Sequence, residues 1–195
     1  MGAMGFDESI MRVVSVRRAD AVTQVIQGIG DAGMRIEVLE IVALAGVLAV
    51  VATRSWRVGG IAAASLLLGD FIAHWLKQVV RRPRPAGDLT LWPEIHSWAM
   101  PSTHAAATSA LATGIFLAVE WHSPRIRSAA GTVLVAAVVL VGGCMVYLGA
   151  HWPTDVLAGW LLGAGVGAAV AWTADKLRSN RNTANHLPSD TPGVR

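Results

Sequence analysis

The chain has 195 residues, of which 53% are hydrophobic and only 15% are charged. Because soluble domains contain about 25% charged residues, this composition indicates a membrane protein and excludes a disordered chain and a coiled coil. The single cysteine, Cys144, excludes an intramolecular disulfide framework and a cysteine-rich metal site. The net charge of +3 arises from basic residues in short clusters and loops, so no nucleic-acid partner is expected.

Residues 1–35 are predicted to form an N-terminal amphipathic segment. They lack the basic start and the unbroken apolar run of a secretory signal. Apolar residues recur there at helical spacing, with charged and amide side chains between them: Val22, Val25, Ile26 and Ile29. Such a helix either lies at a membrane surface or packs on the rest of the protein, and the pattern fits both.

Five apolar stretches follow, each close to the roughly 20 residues that a helix needs to cross a bilayer. They are predicted near residues 37–54, 58–80, 100–120, 128–149 and 154–175. The polar residues 177–195 predict a disordered tail. The predicted fold is therefore an all-α, polytopic membrane helix bundle, whose transmembrane domain extends over residues 36–176.

Glycines recur every fourth residue in the last predicted span, at Gly159, Gly163 and Gly167. Small residues at this spacing let helix backbones approach closely in lipid. The pattern predicts close packing within the bundle and would also permit a homodimer through the same face.

Unusual polar residues gather on one side of the predicted bundle. The second span ends there, the third begins there, and the turn between the fourth and fifth lies there. Three short segments therefore meet and bring together Lys77, Arg81, Arg82, Arg84, Ser102, Thr103, His104, His151 and Asp155.

The first segment carries four cations within eight residues. Such a cluster also serves as a topology signal or an anionic-lipid patch. However, Lys77 lies a full turn inside the span, where anchoring does not need it. Pro83 and Pro85 bias Arg82 and Arg84 toward extended conformations and so stiffen the backbone at these two residues. The guanidinium groups that this backbone carries are suited to bidentate contact with phosphate.

The other two segments carry histidines beside an anion site and a carboxylate. Ser102 is a natural N-cap, and the free N–H groups of the helical turn that it opens, with Thr103 and His104, suit a phosphate. His104 could give a proton to a leaving oxygen. His151 precedes Asp155 by four residues, so the carboxylate can orient the imidazole as in a catalytic dyad.

Together these segments resemble the phosphatidic acid phosphatase type 2 (PAP2) superfamily of membrane lipid phosphatases. The resemblance extends over residues 70–160. The family's first motif, Lys-x6-Arg-Pro, is matched in full by Lys77, Arg84 and Pro85.

The second and third family motifs are matched with departures. Pro-Ser-Gly-His falls on residues 101–104, with threonine in place of glycine. Ser-Arg-x5-His-x3-Asp keeps His151 and Asp155, but its Ser-Arg pair falls on Cys144 and Met145.

The resemblance implies a phosphohistidine mechanism with no cofactor and no metal. His151 would attack phosphorus, Asp155 would orient it, and His104 would protonate the departing oxygen. The phosphate ligands that the resemblance implies are Lys77, Arg84, Ser102 and the N–H group of Thr103.

Met145 replaces a phosphate-binding arginine of the family pattern. A methionine cannot donate a hydrogen bond or carry charge. We expect Arg81 or Arg82 to supply the missing charge, with Arg81 preferred because it shares a helical face with Lys77. A degenerate member that binds anionic lipid without turnover is the alternative.

The expected partner is a lipid phosphate that reaches the site from the bilayer of a bacterial plasma membrane. Polyprenyl diphosphate, a polyprenyl-linked phosphosugar such as decaprenylphosphoryl-phosphoribose, phosphatidic acid and phosphatidylglycerol phosphate all fit. Asp70 and His74, inside the second span, leave a transporter as a third class. The Lys and Arg balance outside the site favours a cytoplasmic C-terminus and an extracytoplasmic site.

Overall fold

The computed structural model describes residues 3–33, 55–92 and 96–185, and these ranges are all-α, as predicted. The six helices in the described ranges are α1 (Ala3–Val16), α2 (Asp20–Gly33), α3 (Trp56–Val80), α4 (Thr103–Ala118), α5 (Pro124–Tyr147) and α6 (Pro153–Asn185). A short 3-10 turn, Gly87–Leu89, lies in the connection between α3 and α4.

Three of these helices, α3, α5 and α6, are long and apolar enough to cross a membrane. The predicted third span corresponds to α4, which has only 16 residues and is shorter than the roughly 20 that cross a bilayer. The predicted first span, 37–54, lies outside the described residues.

Serine caps and a proline set the helix ends. The Ser55 hydroxyl accepts a hydrogen bond from the Val58 N–H at the start of α3, and the Ser123 hydroxyl accepts one from the Ile126 N–H at the start of α5. At the other end of α3, Arg81 adopts a left-handed conformation with φ 51°. This ends the helix two residues before Pro83.

Helix α4 lies at the centre of the bundle, packed against α3, α5 and α6. Gly159, Gly163 and Gly167 of α6 face it so closely that a Cβ at Gly163 would overlap the Ala106 carbonyl oxygen. The predicted close packing is confirmed. The glycine face of α6 is therefore occupied within a single chain.

The N-terminal segment forms two helices rather than one, and both lie on the side where α3 ends and α6 begins. Met11 of α1 is fully buried and packs with Leu89 and Trp152. Arg18, between the helices, donates to the Leu89 carbonyl oxygen at 2.7 Å, and Thr23 of α2 lies 2.9 Å from the Tyr147 hydroxyl.

Helix α6 continues beyond the predicted start of a disordered tail at residue 177, as far as Asn185. Leu177, Arg178, Arg181 and Ala184 favour a helix in this extension, and Arg178 pairs with Glu120 at 3.2 Å. Residues 186–195 lie outside the described residues.

Candidate active site

A cavity of about 190 Å³ lies at the end of the bundle where α3 ends and α4 begins. Its wall contains five residues predicted from the sequence: Lys77, Arg84, Thr103, His104 and His151. The other lining residues are His74, Gln78, Trp92, Ser97, Met145 and Ala150. Three segments that are distant in sequence thus line one cavity.

Arg84 is held in place by the loop that follows α3. Its Nε donates to the Ser97 carbonyl oxygen at 2.7 Å, and its Nη2 donates to the Ser97 hydroxyl at 2.9 Å. Its Nη1 contacts the Ala150 carbonyl oxygen. Burial lowers the pKa of the Arg84 guanidinium and the Asp155 carboxylate opposes this, but an arginine keeps its charge at any physiological pH.

The imidazole of His151 is 2% exposed and points between Arg84 and Asp155. Nε2 lies 3.2 Å from Arg84 Nη1, and Nδ1 lies 3.7 Å from Asp155 Oδ2. Because arginine can only donate, Nε2 must be the accepting, unprotonated nitrogen, and the proton is assigned to Nδ1. The Nε2 lone pair is therefore directed at Arg84, which lines the cavity.

Burial, together with the nearby charges of Arg84 and Lys77, lowers the pKa of His151 to about 4, although the Asp155 carboxylate opposes this shift. The imidazole is consequently neutral at neutral pH. A neutral imidazole is the form that can act as a nucleophile.

Asp155 is fully buried behind His151. Its Oδ1 accepts from Arg82 Nη1 at 2.6 Å, and its Oδ2 accepts from the Trp152 backbone N–H at 2.9 Å. The 3.7 Å separation from His151 Nδ1 exceeds hydrogen-bond distance, and that nitrogen has no partner among the described residues.

The two arginines expected to replace the motif arginine lie in different surroundings. Arg82 contacts two carboxylates, Asp155 at 2.6 Å and Asp7 at 2.5 Å. Arg81 is exposed at the end of α3, where its Nε donates to the Gln78 carbonyl oxygen. Met145, by contrast, lines the cavity at the position of the motif arginine.

Ser102 is the N-cap of α4, as predicted, and its hydroxyl accepts from the Ala105 N–H at 3.4 Å. It is fully buried, and its own N–H donates to the Asp155 carbonyl oxygen at 3.1 Å. Thr103 and His104 follow in the first turn and line the cavity. The free N–H groups of this first turn suit an anion. The Ser102 hydroxyl already caps the helix, and its direct role in binding phosphate stays a prediction.

Sequence reasoning missed Asp7, which is fully buried and joins the network around Arg82 and Thr154. Its only signal was its position four residues before Met11, which places both on one face of α1. The described residues contain no group of three His, Cys, Asp or Glu side chains arranged to hold a metal ion.

Comparison with known proteins agrees with this geometry. The PAP2 superfamily model matches residues 59–179. The chain is 31% identical over 115 residues to undecaprenyl-diphosphatase of Sulfolobus acidocaldarius, covering 57% of this chain and 52% of that protein. It is 25% identical over 159 residues to phosphatidylglycerophosphatase B of Escherichia coli, covering 60% of each chain.

The chain thus spans about half the length of the first of these relatives and three fifths of the second. A crystal structure of a transmembrane PAP2 type phosphatidylglycerolphosphate phosphatase from Bacillus subtilis has the same fold, with a TM-score of 0.74. The two are 24% identical, and the match covers 89% of this chain and 87% of that one. Because the family model covers more than half of the chain and every segment around the cavity, the chain belongs to the PAP2 superfamily and is an integral membrane protein.

Proposed function

We propose that the protein is a lipid phosphatase that hydrolyses a phosphate ester or anhydride of a membrane lipid through a phosphohistidine intermediate. The observation that carries the proposal is the cavity at the end of an apolar bundle, where two cations meet two of the three lining histidines: Lys77, Arg84, His104 and His151. Asp155 stands behind one of these histidines.

Cationic side chains from two elements hold the phosphate in the cavity. Lys77 projects from α3, and Arg84 projects from the loop that follows it. The first turn of α4 adds the N–H groups of Thr103 and His104 and the positive end of the helix dipole. Such preorganised donors stabilise the charge that accumulates on the equatorial oxygens in the transition state.

When a phosphate binds, Arg84 Nη1 exchanges its hydrogen bond with His151 Nε2 for one with a phosphate oxygen, and the freed Nε2 lone pair forms a bond to phosphorus. The bond from phosphorus to the leaving oxygen breaks, and His104 gives that oxygen a proton. Asp155 stabilises the positive charge that the His151 ring then carries. A water molecule attacks the phosphohistidine, gives its proton to His104, and releases inorganic phosphate together with the free His151 imidazole.

The size of the cavity limits what enters it. About 190 Å³ accommodates a phosphate group, whereas a lipid tail needs another place. On α3, large apolar side chains close to His74 are exposed, with Phe71 67% and Trp75 60% accessible. We place the tail along this face, with the head group entering sideways from the bilayer into an extracytoplasmic site.

The relatives support a lipid phosphate as the substrate, since their names describe an undecaprenyl diphosphatase and a phosphatidylglycerophosphatase. The proposed substrates are polyprenyl diphosphate, a polyprenyl-linked phosphosugar, phosphatidic acid and phosphatidylglycerol phosphate. All present a terminal phosphate on a membrane-anchored alcohol or phosphate.

Phosphate release from this panel by detergent-solubilised protein tests the proposal. We expect turnover that EDTA leaves unchanged and that His151→Ala abolishes. His122→Ala is the matched control, because it removes a histidine near the opposite end of the bundle, before α5. Turnover that persists in His151→Ala, or that EDTA removes and a divalent ion restores, would contradict the mechanism.

Met145 in the cavity wall favours a second candidate, a protein that binds lipid phosphate without hydrolysing it. The same preparation distinguishes the two. Saturable binding of the panel with no phosphate release would identify the binding protein.

A further inference from the structure

Asp7 is a fully buried carboxylate on α1, outside the residues 59–179 that the family model matches. Its Oδ1 accepts from the Thr154 backbone N–H at 3.0 Å, and its Oδ2 accepts from the Thr154 hydroxyl at 2.5 Å. Thr154 lies in the first turn of α6. Asp7 therefore gives α6, from another helix, the acceptor that an N-cap residue usually provides.

Arg82 joins Asp7 to the dyad. Its Nη2 donates to Asp7 Oδ2 at 2.5 Å, and its Nη1 donates to Asp155 Oδ1 at 2.6 Å and to the Thr154 hydroxyl at 2.6 Å. The Arg82 side chain is 12% exposed, and its Cζ lies 5.5 Å from the centre of the Trp152 ring. One guanidinium thus bridges two fully buried carboxylates from different helices.

We propose that Asp7 of α1 is a positioning residue, which holds Asp155 behind His151 through Arg82. The proposal rests on the proposed function of His151. The geometry explains why two carboxylates are needed. With Asp7 present, Arg82 divides its charge and its two Nη groups between partners, so its orientation is fixed by both.

Without Asp7, the whole charge of Arg82 acts on Asp155, and the guanidinium loses its second anchor. The carboxylate then stabilises less of the positive charge that develops on His151 during attack. The separation of 3.7 Å between Asp155 Oδ2 and His151 Nδ1 must shorten as that charge develops, so the rate is sensitive to small displacements of Asp155.

Asp7→Asn in the full chain, purified in detergent, tests the proposal. We expect kcat to fall by a factor on the order of 10², with KM unchanged, because Asp7 acts on the nucleophile and not on bound lipid. Glu8→Gln is the matched control and should behave as wild type, since Glu8 pairs with Arg12 on the exposed face of α1. An unchanged kcat in folded Asp7→Asn, or a raised KM with kcat unchanged, would overturn the proposal.

The variant Met11→Ala distinguishes the positioning role of Asp7 from a role in docking α1 alone. Met11 lies on the same buried face of α1 and carries no charge. Its truncation should lower thermal stability and leave kcat of the folded protein within about 3-fold of wild type, whereas Asp7→Asn loses far more. Equal losses of kcat in the two variants would show that Asp7 only docks the helix.

A second readout needs no turnover. His151 faces Asp155 from α6, Arg84 from the loop, and Lys77 and His104 across the cavity. Removing the negative charge of Asp7 should lower the pKa of His151 measured by NMR on histidine-labelled protein, and the shift should be smaller in the Asp155→Asn background. If the wild type releases no phosphate, the proposed function fails, and an unchanged His151 titration would then overturn the positioning role as well.

If Asp7→Asn does not fold, Thr154→Val tests the positioning role of Asp7 instead. It removes the hydroxyl that connects Asp7 with Arg82 and keeps both ion pairs. We expect kcat to fall by about 10-fold at unchanged KM, since the orientation of Arg82 loosens while its charges stay paired. Wild-type kcat in Thr154→Val would contradict the proposal.

Discussion

The low proton affinity of His151 predicts an unusual acid limb in the pH profile. Burial lowers its pKa from 6.5 to about 4. At pH 6 about 99% of such an imidazole is neutral, compared with about a quarter of an ordinary histidine. If His151 is the nucleophile, kcat/KM should therefore stay high down to pH 5 and fall only around pH 4.

The same shift also links pH to stability. The unfolded chain binds a proton at His151 near pH 6.5, whereas the folded chain binds it only near pH 4. The contribution to folding is therefore fully present above pH 6.5 and is lost as the pH falls toward 4, by about 3 kcal/mol. Above pH 6.5 this residue contributes no pH dependence.

Two measurements check this prediction. The first is kcat/KM between pH 3.5 and 8 on a lipid phosphate whose own ionisation is determined separately from its ³¹P chemical shift. The second is the unfolding free energy of wild type and of His151→Gln, whose difference should vary between pH 6.5 and 4. An acid limb near pH 6.5 that the substrate does not explain, or a stability difference that is constant over this interval, would refute the reasoning.

Three further predictions concern cations and packing. Arg84→Ala should lower kcat/KM about 10² to 10³-fold, whereas Arg81→Ala should be close to wild type because Arg81 is exposed at the end of α3; equal losses in the two would contradict this assignment. Met145→Arg should lower KM, since it adds a cation to the wall of the cavity. If an assay shows that the variant binds phosphate no more tightly than wild type, the placement of residue 145 beside the bound phosphate is contradicted. Gly163→Ala should destabilise the protein by about 1–3 kcal/mol, because its Cβ meets the backbone of α4. Thermal unfolding of Gly165→Ala, whose Cβ meets nothing within 4 Å, should occur at or slightly above the wild-type temperature, because alanine favours a helix over glycine.

Much of the site could be predicted from the sequence because a bundle constrains where its helix ends lie. Once the spans are placed, the end of α3 and the starts of α4 and α6 must share one side of the membrane. Lys77, His104 and His151 then meet with no knowledge of how the helices pack. The all-α fold follows from composition and from the length of the apolar stretches, each close to the roughly 20 residues that cross a bilayer as a helix.

The role of the N-terminal segment could not be predicted, because nothing local tells where an amphipathic helix docks. The sequence marks Asp7 only as a charge among apolar residues. Its partners, Arg82 and Thr154, lie 75 and 147 residues further along the chain. A buried carboxylate of this kind becomes visible only when the helices are assembled.

The three arginines that follow α3 show what a local sequence pattern cannot predict. They lie within four residues, and sequence reasoning treats them as one cluster. The left-handed conformation of Arg81 ends the helix and leaves its side chain exposed, whereas the next residue, Arg82, turns inward to two carboxylates. Arg84, between two prolines, faces His151, the proposed nucleophile. Because a change of φ at one residue redirects every residue after it, three arginines of equal charge and near-equal position in the sequence lie in three different environments.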